Sequence, residues 1–208
     1  PHIFHLDLLS EAFPSAKFIH IIRDGRDCAA SCLRRWGTHP VGASVRWREA
    51  MQAGRKAAET LPGRFLEVIY EEITVNPEDA FRNICKFLDV AFDSAVLKTK
   101  RARPKMTGNS SIEIKPNKRK RSVLEERGYA EKIERMAGKE LSAHGYECKY
   151  PDSEVRVSRF DRFAWYCNDA KAFMVHMIKA KAGEQPHLTW SLFWSRIKAT
   201  AKAKAIKR

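Results

Sequence analysis

The chain has 208 residues, 44% of them hydrophobic and 10% aromatic, enough apolar material for one packed domain and too much for a wholly disordered chain. Its formal net charge is +14 and is uneven: residues 98–121 hold ten Lys/Arg against one acid, and residues 151–208 hold twelve against five. The remainder is close to neutral, no segment is apolar for long enough to span a bilayer, and no signal-peptide pattern opens the chain.

In chain order, residues 3–13 predict a helix with Ile3, Leu6, Leu9 and Phe13 on one face, broken by Pro14 and Ser15. Residues 17–22 (KFIHII) predict a parallel strand covered on both faces. The turn Arg23-Asp24-Gly25-Arg26 follows, then a helix over 27–35. A second helix is predicted over 41–61, with Trp47, Met51, Ala57 and Leu61 in its apolar stripe, and Pro62-Gly63 ends it. Residues 65–70 (FLEVIY) predict a second strand. Asn76-Pro77-Glu78-Asp79 predicts a helix start with a capping Asn and Pro at the first helical position. Periodicity is lost from 92 to 127, a long basic connection of the sort that forms binding loops or lids. A helix over 129–143 stops at Gly145, and two more are expected over 158–182 and 188–206. Strands alternating with helices predict an α/β fold with a parallel sheet.

The five cysteines form no CxxC pair and no zinc-ligand spacing, so buried, reduced thiols in a cytosolic compartment are expected. The segment FIHIIRDGRDCAASCLRR is the most specific in the chain. The strand delivers Arg23 to its C-terminal end, the edge at which open α/β sheets bind ligands. The next helix points a positive dipole end and unpaired N–H groups the same way. Asp27, Ser31 and Arg35 fall at i, i+4 and i+8, on one helix face. Arg23, Ser31 and Arg35 together make a phosphate clamp. The alternative is that Arg23, Asp24, Arg26 and Asp27 only pair with one another around a tight turn.

Arg-Asp-Gly-Arg after a strand, with Ser31 eight residues beyond Arg23, resembles the 3′-phosphate-binding element of sulfotransferases that use 3′-phosphoadenosine 5′-phosphosulfate (PAPS). HLDLLSEAFPSAKFIHIIRDGRD resembles the helix–strand approach of bacterial and tyrosylprotein sulfotransferases. FLEVIYEEITVNPEDAFRNICKFLDV resembles their strand–Tyr-Glu–helix unit, and IKPNK with a later HGYE resembles their loop and final helix. The resemblance covers residues 1–150, and implies a P-loop-NTPase-like three-layer parallel sheet, incomplete at its N-terminus. Residues 151–208 form a basic, aromatic helical extension beyond it.

By that resemblance, Arg23 and Ser31 bind the nucleotide 3′-phosphate with support from Arg35, Tyr70 lies near the adenine, and Ser110, Lys115 and Asn117 contact the nucleotide from the basic loop. PAPS is the expected co-substrate, with no metal. The expected reaction is sulfuryl transfer to a hydroxyl or amine of a glycan, lipid, small molecule or peptide. His2 is the candidate base, with His5 behind it; a base in the preceding half of the family pattern is the other possibility. That half carries a Gly/Ser/Thr-rich loop for the 5′-phosphosulfate. No GxxxxGK[ST] run occurs here, and the chain opens at Pro1, so the resemblance implies that the loop lies upstream.

Residues 160–197 interleave Phe160, Phe163, Phe173, Trp190, Phe193 and Trp194 with Arg and Lys. This reads either as a peripheral contact with an anionic membrane surface or as helices packed on the domain. Two further readings of the whole chain are a nucleotide-dependent kinase relative and a basic module that binds nucleic acid or membrane. The latter explains the charge but not the strand–RDGR–helix–Ser spacing, so nucleic acid is not an expected partner.

Overall fold

A computed structural model describes residues 2–98, 121–153 and 155–181. A 3-10 turn over His2–His5 leads into α1 (Leu6–Ala12), then β1 (Phe18–Ile22), α2 (Gly25–Trp36), α3 (Pro40–Thr60) and β2 (Phe65–Ile69). Next come α4 (Tyr70–Val75), α5 (Pro77–Leu88), a 3-10 turn over Ser94–Lys98, α6 (Ser122–Glu126), α7 (Ala130–Ala143) and α8 (Arg159–Lys181). The architecture is α/β: a small parallel sheet among helices.

β1 and β2 pair in parallel from Phe18↔Phe65 to Ile22↔Ile69, so both strands end at the same edge. A parallel pair needs a crossover, and the long α3 provides it. Pro40 starts α3 at a position where the missing N–H costs nothing. One sheet face packs on α3. There His20 Nδ1 lies 2.9 Å from Glu67 Oε1. Gly54 of α3 sits over that pair, where a Cβ would meet Glu67 Oε1 at 2.7 Å. Ile22, Trp47, Met51, Ala137 and Leu141 close one core cluster. Ala29, Ala30, Val41, Leu124 and Ile133 form a second between α2, α3, α6 and α7.

Several sequence expectations change. β1 is not covered on both faces by the described residues: Ile19 and Ile21 are 37% and 56% exposed, because α3 covers only the Phe18–His20–Ile22 side. The second strand ends at Ile69, and Tyr70 opens the short helix α4. Asn76 precedes Pro77 as expected, but its side chain caps nothing. The stretch read as lacking periodicity contains a 3-10 turn and α6. Four cysteines are half-buried and Cys167 is exposed, and all five are free thiols.

α8 docks on the domain by one face. Trp165 stacks at 5.8 Å on His39 and lies against Gly42. Asp169 accepts the His39 N–H at 3.0 Å and pairs with Arg46 at 3.1 Å, and Arg162 pairs with Glu49 at 2.7 Å. Phe160, Phe163, Tyr166 and Met174 point outward and are exposed. Among the described residues, no helix is long and apolar enough to cross a membrane. The helix predicted over 188–206 lies outside the described residues.

Candidate functional site at the strand exits

Arg23 and Tyr70 are the first residues past the last paired positions of β1 and β2, so the register sets them side by side. The Arg23 guanidinium lies 5.0 Å from the centre of the Tyr70 ring, a cation–π contact at the C-terminal edge of the sheet. The Arg23 backbone is fixed from α3, where the Trp47 indole N–H donates to its carbonyl at 2.9 Å. Gly25 makes that possible. A Cβ there would fall 2.6 Å from Trp47 Cδ2, so only glycine lets the turn lie on the indole.

The acidic residues of the turn are engaged elsewhere. Asp24, 1% exposed, accepts from the Arg26 backbone N–H at 2.9 Å and from the Arg26 guanidinium at 2.8 and 3.0 Å. Arg121 also reaches Asp24, and it donates to Asp27 at 2.7 Å. Arg26 continues to Glu134 of α7 at 2.7 Å. Burial by itself raises the Asp24 carboxyl; the hydrogen bonds and charges of Arg26 and Arg121 outweigh it and hold the group below the usual carboxylate range. The two sequence readings of this turn therefore divide: Asp24, Arg26 and Asp27 form an ion network with Arg121 and Glu134, while Arg23 stacks on Tyr70. The network also alters the expected helix-end site, since the Asp24 side chain caps α2 and takes the Arg26 N–H.

Ser31 is half-buried on the second turn of α2, about 9 Å along the axis from Gly25. Arg35 is exposed in the last turn, roughly 15 Å along the axis from Gly25. There it lines a cleft of about 400 Å³ between the end of α2 and α8, together with Arg34, Trp36 and Lys171. Cys28 follows the turn, and burial pushes its thiol up to about 12, so it stays protonated and unreactive near neutrality.

Residues 1–94 match the model of the Sulfotransferase family. A protein-tyrosine sulfotransferase of Drosophila melanogaster is 36% identical over 42% of this chain and 19% of its own length. Protein-tyrosine sulfotransferase 1 of Danio rerio is 32% identical over 44% of this chain and 28% of its own. Over residues 1–94 the chain is similar to the sulfotransferase family. The chain spans less than a third of the length of these two relatives. The sulfotransferase domain of a Synechococcus PCC 7002 olefin synthase aligns with a TM-score of 0.49 and 22% identity, over 81% of this chain and 54% of that domain.

The sulfotransferase match contains the whole strand–turn–helix and Tyr70. Of the residues expected at the site, the structure brings Arg23 and Tyr70 into contact, with Ser31 on the attached helix and Arg35 in the separate cleft. His2 and His5 lie in the N-terminal 3-10 turn, both exposed. Ser110, Lys115 and Asn117 lie outside the described residues. Among the described residues, no cluster of three or more His, Cys, Asp or Glu side chains could hold a metal ion.

Sequence reasoning did not find three supporting groups. Trp47 is a core residue, as its helical stripe indicated, but its hydrogen bond to Arg23 gave no sequence signal. Arg121 is one of ten cations in a basic run, and nothing in the run singles it out. Glu71 follows Tyr70, and its carboxylate accepts from the Asp24 N–H at 3.3 Å and from the Tyr146 hydroxyl at 3.0 Å.

Proposed function

We propose that this chain supplies the nucleotide 3′-phosphate side of a PAPS-dependent sulfotransferase. The contact between Arg23 and Tyr70 at the common end of two parallel strands carries this reading. A guanidinium stacked on a ring presents its N–H fork to a phosphate while the same ring offers a face to an adenine. Asp24 and Asp27 fit the role of bystanders, since Arg26 and Arg121 match their charge and they do not repel a phosphate at Arg23. Ser31 adds a hydroxyl donor from α2, and Arg35 adds a cation farther along the same helix. Tyr70 packs on the adenine side, and Ser110, Lys115 and Asn117 of the basic segment complete the nucleotide contacts.

PAPS supplies an activated sulfuryl group. The acceptor oxygen or nitrogen bonds to sulfur as the S–O bond to the 5′-phosphate breaks, the leaving adenosine 3′,5′-bisphosphate takes the electron pair, and a base takes the acceptor proton. His2 is the base candidate within this chain. Positioning and charge neutralisation dominate such transfers, which suits a site built from cations and a rigid strand edge. The exposed Ile19 and Ile21 support a larger three-layer, P-loop-like sheet, because they offer an apolar face on which a further layer packs. We read residues 1–150 as the sulfotransferase unit and 151–208 as an extension.

Isothermal titration of the 208-residue chain with adenosine 3′,5′-bisphosphate tests the reading. Arg23→Ala is expected to weaken binding by about tenfold to a hundredfold, the range for losing charge-assisted hydrogen bonds, and Ser31→Ala by less. Unchanged affinity in Arg23→Ala overturns it.

A second reading applies to α8 alone. Its outward face carries the exposed Phe160, Phe163 and Met174, with the exposed Arg159 next to Phe160, while Asp169 is turned to the domain. That pattern suits the surface of an anionic bilayer.

A further inference from the structure

We propose that Glu71 is a positioning residue for the nucleotide site, holding Arg23 against Tyr70; the inference rests on the reading of Arg23 as a phosphate ligand. The backbone ladder between β1 and β2 ends at Ile22↔Ile69. One residue further, Arg23 and Tyr70 meet. Two residues further, β2 has already turned into α4 and β1 into the cap of α2, so the two chains diverge. Glu71 closes this gap with its side chain. Its Oε1 accepts from the backbone N–H of Asp24 at 3.3 Å, in effect one more rung between the strand exits.

The other carboxylate oxygen is held in turn. Tyr146, just beyond α7, donates its hydroxyl to Glu71 Oε2 at 3.0 Å. Burial and the neighbouring Glu71 charge push the phenol well above its ordinary range, so Tyr146 remains a donor at every physiological pH. Tyr146 also packs on the core cluster that contains Ile22 and Trp47. Glu71 thus ties three chain segments together one residue away from each member of the Arg23–Tyr70 pair. Asp24 carries the tie directly to Arg23, whose carbonyl is fixed on its other side by Trp47. With the carbonyl and the N–H of the Arg23–Asp24 peptide both held, the Arg23 side chain leaves the strand in one direction, over the ring.

A positioning residue that works through Arg23 has a signature that a residue important only for folding does not. Titration of adenosine 3′,5′-bisphosphate into the full chain is compared for the wild type, Glu71→Ala, Glu71→Gln, Arg23→Ala and the double variant Glu71→Ala/Arg23→Ala. Glu71→Ala is expected to weaken binding about tenfold alone and to add nothing once Arg23 is gone, the non-additivity of coupled neighbours. Glu71→Gln keeps an acceptor for the Asp24 N–H and is expected to restore most of the affinity. If Arg23→Ala weakens binding while Glu71→Ala does not, or if the two losses multiply, the positioning role is wrong and the nucleotide reading stands.

If Arg23→Ala itself changes nothing, the nucleotide reading falls, and the positioning claim is decided by NMR on the free chain. The Arg23 guanidinium carbon lies 5.0 Å from the Tyr70 ring centre, so the Arg23 Nε–H proton is expected to carry a ring-current shift. Glu71→Ala is expected to move that resonance and Glu71→Gln to leave it in place; a resonance unmoved in Glu71→Ala overturns the claim. Tyr146→Phe, which removes one hydroxyl, is expected to move both readouts in the same direction by less, and provides the test should Glu71→Ala not fold.

Discussion

Gly25 tolerates no side chain. A methyl group at that position would overlap the Trp47 indole, and Trp47 is both a core residue and the donor to the Arg23 carbonyl. Gly25→Ala is therefore expected to cost about 1–3 kcal/mol, the usual penalty for overfilling a packed site, read as a lower midpoint in chemical denaturation. It is also expected to weaken nucleotide binding, because the indole must move. Asp24 makes a separate prediction. Its folded carboxyl titrates below the unfolded value of about 3.9, so its contribution to stability is complete above that value and is lost as pH falls through the folded one. Asp24→Asn leaves Arg26 and Arg121 short of a buried partner and is expected to cost about 3–5 kcal/mol at pH 7. The variant is also expected to lose less stability than wild type between pH 5 and pH 2 in urea titrations. At this scale the sequence offered two readings of Arg23-Asp24-Gly25-Arg26-Asp27 and could not choose between them. The choice depends on Arg121 and Glu134, about a hundred residues away, which local spacing does not report.

The strand–helix alternation was legible because apolar periodicity dictates it, and the parallel pair, the crossover α3 and the proline-led α5 all appear where the pattern puts them. The errors have local causes. Tyr70 is aromatic and continues the apolar run of FLEVI, so it reads as the last strand residue, yet it opens α4 once the ladder ends. β1 looked buried on both faces because apolar residues fall on both of them, whereas the described helices cover one. α8 shows what sequence alone left open: Trp165 and Asp169 dock one face, and Phe160 and Phe163 are exposed at 77% and 64% on the other. If that outward face meets an anionic bilayer, the chain co-sediments with phosphatidylglycerol vesicles more than with phosphatidylcholine vesicles. Phe160→Asp/Phe163→Asp is expected to reduce that binding several-fold without lowering the unfolding midpoint. Binding that ignores the double substitution assigns any lipid affinity to another part of the chain.

At the scale of the whole molecule, the charge distribution and the site belong together. The net charge of +14 is too large to be incidental, and residues 98–121 end in Arg121, which is locked to the turn that carries Arg23. An anion approaching the strand exits meets a chain of net positive charge, with Asp24 and Asp27 paired to Arg26 and Arg121. Affinity for a doubly phosphorylated nucleotide is accordingly expected to fall as salt rises from 50 to 500 mM. The most direct test of the account compares adenosine 3′,5′-bisphosphate with adenosine 5′-monophosphate, which lacks only the 3′-phosphate, on wild type and Arg23→Ala. The account predicts a clear preference for the bisphosphate in the wild type and its near-disappearance in the variant. Equal affinities in the wild type, or a preference that survives the loss of Arg23, would contradict it.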